Sequence, residues 1–526
     1  MLFSYLRYCF PVRPDASDCG DEDDLDSDNE QEEEEEEEED ESSEEEEDTH
    51  VFSDKRFGKD HTFTWPKEHG DVRECQRAKR FGNSKAQPEL VWSHLDSRAA
   101  GTKFLRFFLL FTPFALFEVA AKHIQQKGVA KFGDKWLSKG REFTVGLLLC
   151  WIGCFFYMMA APGYARASYW DSVDDGMFPT HDLTQKSLLT LTDFDRILQF
   201  WWIPTYVPDR VFTKAGSSGE CGYPDYVPLT DTFNPIRRWM DAINERWAEV
   251  FVPGWLLCID ESMFKWLGRN RCPGWMKVGR KPDSIGHELK TLACAVCLVM
   301  CSFELQEGKV LDNAKKYVAE YGAQAALTLR MLEPFKGTQR VLIGDSWFGS
   351  VKASILLLNV GIYSVLNVKT GHKLFPKKRL LSMLEGQEPG THVALSTKLR
   401  LDDTEESERV MFAVAQKCPG KMNAKQRKTC KWGADAKGVP MLLVSTCDTT
   451  LPGTERSYHS HVPSTTVGMM KRTVKQISQT AVSALWRSTF NVIDRLNRQR
   501  TGVVAMYDFW KTEKWELREP GVPWCF

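Results

Sequence analysis

RVLIGDSWFGSVKASILLLNVGIYSVLNVK (340–369) is the stretch whose reading decides the fold. RVLIGD is a short apolar run closed by an acid, and 350–359 has the apolar spacing of a helix. Gly361 stands where a helix ends in the left-handed conformation, and IYSVLNVK is a second β-branched run. Strand, helix and strand in succession predict an α/β core. Upstream, WLLCID (255–260) repeats the apolar-run-then-Asp design. LKTLACAVCLVM (289–300) and 309–311 read as further strands, and 313–332 as helix. Residues 251–370 thus form the first part of the core. Downstream, 371–480 is rich in β-branched residues, Gly, Pro and turns, which predicts a separate strand-rich insertion, and 483–500 is the last clear helix. Before the core, 117–127, 142–159, 183–201 and 234–250 each carry apolar positions near a 3.6 period, so 101–250 reads as a helical N-terminal domain.

The chain has 526 residues, enough for about three units at about 150 residues per domain. Its formal charge of -4 conceals a division: 21–48 holds 22 Asp and Glu in 28 residues with no Lys or Arg. With Arg7, Arg13, Asp15 and Asp18 also set aside, residues 49–526 keep 66 basic and 48 acidic side chains, a body of +18. Residues 1–100 read as disordered, because the acidic tract repels itself and lacks a core, and 49–100 is polar and mixed in charge. The tract reads as a solvated spacer, an interaction tail or an intramolecular mimic of DNA, and the basic body predicts an anionic partner such as nucleic acid.

Fifteen Cys in so long a chain is no secreted disulfide scaffold, and a reducing compartment is expected. Cys294, Cys297 and Cys301 read as buried thiols of one apolar strand, and His459 with His461 as residues of a polar loop. FTVGLLLCWIGCFFYMMAA (143–161) is just long enough to span a bilayer but reads as a buried helix of a large protein. No phosphate-binding GxxxxGK loop and no GxSxG elbow is present, against an NTPase or serine hydrolase.

The chemistry gathers on acids. Asp260 and Asp345 each close an apolar run, at the strand ends where α/β sheets collect ligands, and Asp494 lies in NVIDRLNRQR (491–500), on a helix whose apolar stripe suits a sheet. Three carboxylates without His or Cys are hard oxygen donors, suited to Mg²⁺ or Mn²⁺. Lys265, Arg269, Arg271, Lys277, Arg280 and Lys281 follow the first Asp closely and are candidates to neutralise DNA phosphates. Lys417, Lys421, Lys425, Arg427, Lys428 and Lys431 with Trp432 are candidates to track a strand by charge and stacking, or equally an insertion loop or nuclear import signal.

IDESMFKWLGRNRCPGWMKVGRKPDSIGHELKTLACA (259–295) resembles the first catalytic block of piggyBac-type transposases, GDSWFGSVKASILLLNVGIYSVLNVKTGHKLFPKK (344–378) the second, and NVIDRLNRQR the motif around the third Asp. TLTDFDRILQFWWIP (190–204) is similar to the family's N-terminal region. The resemblance implies a DNA transposase, or a protein derived from one, that cuts and pastes an element at TTAA sites. Its fold would be an α/β ribonuclease H-like catalytic core with a strand-rich insertion, preceded by a helical domain and a disordered acidic N-terminal tail. It further implies Asp260, Asp345 and Asp494 as catalytic residues holding two Mg²⁺ ions, DNA as partner, a homodimer and a nuclear location, with no small-molecule substrate and no membrane. The chain departs from the family at Ser346, where relatives commonly have Asn. It also ends 32 residues after Asp494, where relatives continue with further helices, so 481–526 reads as a C-terminally truncated last core helix. Trp510 and Trp515 are both candidates for an aromatic that handles DNA near the third Asp. The alternative is a domesticated DNA-binding or chromatin-associated protein that keeps the fold without catalysis.

Overall fold

The computed structural model describes residues 49–54, 58–82, 85–94, 103–160, 166–172, 181–200, 233–265, 276–277, 285–368, 372, 374–401, 408–420, 422, 426, 430, 432, 438–463 and 470–500. The acidic tract, Trp510 and Trp515 lie outside them.

Eight strands carry the centre of the molecule: β1 (Leu256–Lys265), β2 (Ile285–Cys294), β3 (Val299–Leu305), β4 (Val341–Gly344), β5 (Tyr363–Asn367), β6 (His392–Arg400), β7 (Glu408–Cys418) and β8 (Val439–Ser445). With the short strand Met276–Lys277 they make one nine-stranded sheet among the described residues. Its order is β6-β7-β8-β5-β4-β1-β2, and β3 and Met276–Lys277 both pair with β2. β4 runs parallel to β1 and to β5, while β2 is antiparallel to β1 and to β3. The parallel centre is apolar because both of its faces are covered: all four residues of VLIG are buried.

The helices are α1 (Lys103–Phe111), α2 (Phe114–Phe132), α3 (Val145–Ala160), α4 (Leu191–Leu198), α5 (Asn234–Val250), α6 (Ala323–Met331), α7 (Val351–Asn359), α8 (Lys377–Leu384), α9 (Ala481–Thr489) and α10 (Val492–Arg500). α7 is the crossover of the parallel unit. Ser350 caps its start, its hydroxyl accepting from Ala353 N at 3.0 Å, and Gly361 follows its end at φ 73°. α2 to α5 share a second apolar core around Phe117, Ile124, Trp151, Phe155, Phe194 and Trp239. α3 buries Trp151, Ile152, Cys154, Phe155 and Met158 there, as a helix inside a large protein would. No single described helix is long and apolar enough to cross a membrane; Leu105–Phe111 with Phe114–Lys135 meets that measure only across an 88° bend.

Several local expectations are corrected. The described residues of 49–94 are folded where disorder was expected: Thr49–Asp54 and Lys59–Thr64 form a hairpin whose Phe52 and Phe63 join the sheet's core together with Trp65. The period-2 alternation of THVFSD and KDHTFT supplies the buried face. LKTLACAVCLVM is a hairpin, β2 and β3 joined by a turn at 295–298 in which Leu298 takes φ 57°. Lys309–Asn313 is a short helix, the 183–201 stretch is Leu183–Ser187 followed by α4, and 483–500 is broken into α9 and α10. The strand-rich stretch is not set apart from the core: β8 pairs antiparallel with β5, so β6 to β8 extend the core sheet. Within 371–480, among the described residues, the hairpin Pro452–Pro463 with Met470–Thr480 forms a sheet of its own, and it carries His459 and His461 on a strand.

Candidate active site

β1 and β4 are parallel neighbours in the register Leu256↔Val341 to Ile259↔Gly344, so Asp260 and Asp345 are the next residues of two adjacent strands. Side chains in register on parallel neighbours share a face, and alternation puts Cys258 on the same face as Asp260. The surroundings of Cys258 agree: burial first, and then the charges of Asp260 and Asp345, push its thiol well above the usual range. Asp260 is not at a strand end as expected; β1 runs on to Lys265 and Asp260 is buried in mid-strand. Asp260 Oδ1 accepts from Glu261 N at 2.7 Å, and Asp345 Oδ1 from Trp347 N at 2.9 Å, which fixes each carboxylate against its own backbone.

α10 lies over this face. Val492, Ile493 and Leu496 pack with Cys258 and Ala293, the Cys258 thiol donates to Phe490 O at 3.6 Å, and Asn497 Nδ2 donates to Glu261 O at 3.3 Å. Asp494 sits half-buried in the first turn of that helix, between two residues that touch the sheet.

Three supports of the site were not among the expected residues. Lys290, on β2 opposite Glu261, is only 2% exposed. Its ammonium bridges Glu261 at 2.9 Å and Glu288 at 2.6 Å and lies 3.5 Å from the centre of the Trp347 ring. Burial opposes that charge, but the two carboxylates outweigh it and raise the Lys290 pKa. Gly349, four residues after Asp345, leaves no room for a side chain: a Cβ there would stand 1.5 Å from Asn367 O. Trp486 on α9 donates from Nε1 to Gly344 O at 3.0 Å, holding the carbonyl that precedes Asp345. The readable signals were a lysine inside an apolar strand and a glycine just before a capped helix.

The proposed DNA contacts are placed only in part. Lys265 ends β1 and Lys277 ends the short strand on β2; Arg269, Arg271, Arg280 and Lys281 lie outside the described residues, as do Lys421, Lys425, Arg427, Lys428 and Lys431. Trp432 is not available for stacking on bases. It is buried, donates to Leu381 O at 3.1 Å, and lies 4.4 Å beneath the ammonium of Lys417, itself buried. Cys294, Cys297 and Cys301 surround the turn between β2 and β3; a hydrogen bond from the Cys297 thiol lowers Cys294 to about 6, while burial raises Cys301.

Comparison with known proteins adds the family. A family model described as Transposase IS4 matches residues 107–518. A cryo-EM structure of a piggyBac transposase synaptic complex with hairpin DNA is similar at 15% identity and a TM-score of 0.47, over 75% of this chain and 68% of the other. No curated protein matches the chain. The match spans far more than half of the sequence and agrees with the piggyBac-type motif blocks, so the chain belongs to the Transposase IS4 family.

Proposed function

We propose that this chain is a piggyBac-like DNA transposase whose Asp260, Asp345 and Asp494 form the centre for metal-dependent cleavage and transfer of DNA strands. The observation that carries the reading is the pairing of Asp260 and Asp345 on parallel neighbours, beneath the helix that bears Asp494. Strand order β3-β2-β1-β4-β5 supports a ribonuclease H-like core, and the carboxylate set supports hard divalent ions such as Mg²⁺. Two bound Mg²⁺ ions would lower the pKa of the attacking water or 3′ hydroxyl and stabilise the leaving oxygen. The protein's own part is positional. Backbone amides fix one oxygen each of Asp260 and Asp345, α10 covers the face, and Lys290 holds Trp347 and the strand next to it. Lys265, Arg269, Arg271, Lys277, Arg280 and Lys281 are assigned to the DNA phosphates, in a homodimer acting in the nucleus at TTAA sites.

The test is strand cleavage on TTAA-flanked element ends with Mg²⁺, comparing the wild-type chain with Asp260→Asn. Wild-type cleavage reduced to background in the variant, with DNA binding kept, is the expected result. Binding by both proteins with cleavage by neither sinks the enzyme reading and leaves a DNA-binding protein.

A further inference from the structure

A second cluster of ligating side chains lies at the other end of the sheet. His69 and Asp71 belong to the segment that follows the N-terminal hairpin, and His392 opens β6, the edge strand. The three are brought together by main-chain bonds: Gly70 N donates to Ala394 O at 2.9 Å, and Thr450 N to Val72 O at 3.1 Å. One donor atom from each residue lies within 4.8 Å of the other two. His69 Nε2 is 3.4 Å and His392 Nε2 3.8 Å from the same Asp71 oxygen, Oδ1. Ligands around a tetrahedral zinc ion with bonds of about 2.0–2.1 Å stand about 3.3 Å apart, so the cluster is close to the spacing an ion needs.

The outer contacts suit a metal as well. His69 Nδ1 lies against the main chain of Ala394: the Ala394 N–H donates to it at 2.8 Å in the metal-free chain, and the Ala394 carbonyl oxygen, 3.1 Å away, is the acceptor open to an Nδ1 proton once an ion displaces the proton from Nε2. Asp71 Oδ1 accepts from Thr450 Oγ1 at 3.5 Å, and that hydroxyl in turn accepts from Val72 N at 2.7 Å. The two imidazole rings meet edge to face, and their side chains are open enough for an ion to enter, at 39% exposure for His69 and 19% for His392.

We propose that His69, Asp71 and His392 bind one transition-metal ion of the zinc class, with water in the fourth position. Two imidazoles and one carboxylate favour zinc over magnesium or calcium. β6 stands five strands from β1, about 24 Å at about 4.8 Å per strand, so the ion takes no part in chemistry at Asp260. It fastens residues 69–72 to the sheet edge.

The full-length chain, stripped with a chelator, is titrated with cobalt(II) and then zinc. Wild type and Asp260→Asn should show the same intense visible bands of one tetrahedral cobalt site per chain, distinct from the weak absorption of six-coordinate ions at the carboxylate centre and bleached by zinc, and zinc should raise the thermal midpoint of both. His69→Gln and His392→Gln should each weaken binding at least tenfold and abolish the zinc-dependent shift, while Cys297→Ser binds as wild type does. Unchanged binding in His392→Gln overturns the proposal. Should the His variants fail to fold, X-ray absorption at the zinc edge of the wild-type protein decides: a shell of nitrogen and oxygen with imidazole scattering supports the site, and a sulfur shell sinks it.

Discussion

The centre of the sheet and its far edge are held by different physics. Around Asp260 and Asp345 the contacts are interior and leave no slack: Gly349 against the main chain of Asn367, Lys290 enclosed by two carboxylates and an indole, Trp486 on Gly344 O. At β6 and the neighbouring α8 the N-terminal segment is attached by several bonds between side chain and main chain. Trp65 Nε1 donates to Leu374 O at 2.9 Å, Arg379 donates to Trp65 O and Pro66 O, and His61 contacts Arg400 O. Each such bond contributes about 1 kcal/mol, and the loss of one leaves the others in place. Precision is therefore concentrated where Asp260 and Asp345 follow paired positions of parallel strands, and the edge is secured by redundancy.

The sharpest way to break that contrast is Gly349→Ala. The new Cβ would meet Asn367 O at 1.5 Å and Asn367 C at 2.6 Å, main-chain atoms of β5 that cannot swing aside. The loop from Asp345 to α7 must move, so the variant should lose about 3 kcal/mol or more in urea unfolding, and cleavage with it. Gly153→Ala is the counterpart: this glycine sits on the exposed side of α3 with nothing within 4 Å, and the change should stabilise the protein by about 0.5–1 kcal/mol. Lys290→Met has an effect comparable to that of Gly349→Ala. Removing the ammonium takes the Lys290 charge away from buried Glu261 and partly buried Glu288 and should cost about 3–5 kcal/mol, part of it recovered by adding Glu261→Gln. A cost below about 1 kcal/mol would show that the pair is solvated and the centre less rigid than drawn.

A third surface, where α5 meets β3, answers to pH. Asn244 on α5 exchanges two hydrogen bonds with the main chain of Phe303, and Arg237 pairs with Glu307. Close by, burial raises Asp241 from 3.8 to about 7; the charges of Glu245, Glu307 and Glu304 add to this and Arg237 opposes it. The folded state thus binds a proton that the unfolded chain releases near 3.8. Its stabilising contribution is complete below that value, falls as pH rises, and is gone above about 7. Asp241→Asn should leave unfolding at pH 4 unchanged and stabilise the protein at pH 8 by about 2–4 kcal/mol. An equal gain at both pH values would remove the titration from the explanation.

The parts legible in the sequence are those with local chemistry. The apolar runs VLIG and YSVLN, the cap at Ser350 and the glycine at 361 gave the parallel unit directly, because period, cap and left-handed turn are set by neighbouring residues. What was misread depended on distant partners or on unmarked turns. ESMFK after Asp260 looks too polar for a strand, yet β2 and Lys290 supply its pairing. CAVCLVM contains no Gly, Pro or Asn to announce a turn, since Leu298 adopts the left-handed conformation itself. The join of β8 to β5 links residues about 80 positions apart, beyond any local pattern. Of the candidate site, the three Asp stood out as residue types, Lys290 and Gly349 left a local signal, and Trp486 left none: it and Gly344 are separated by 142 residues.

The smallest predicted effects test the comparison most finely, because they set location against stability: the edge variant loses more bonds than the central one and should still cleave better. Trp486→Phe keeps the stacked ring beside Phe490 and removes one hydrogen bond to Gly344 O. Gln76→Ala removes the side chain that accepts from Val410 N at 2.9 Å and donates to Val410 O and Thr446 O at the edge. At about 1 kcal/mol per bond, Trp486→Phe should cost about 1 kcal/mol in urea unfolding and Gln76→Ala, which loses three, about 2–3 kcal/mol. Their consequences for strand cleavage should differ: the carbonyl freed in Trp486→Phe directly precedes Asp345, where a shift of about 1 Å is enough to cost about 100-fold in rate, whereas Gln76→Ala should cleave as wild type does. Equal rates in the two variants would mean that the strand end holds Asp345 without help from α9, and that the rigidity of the centre resides in Gly349 and Lys290 alone.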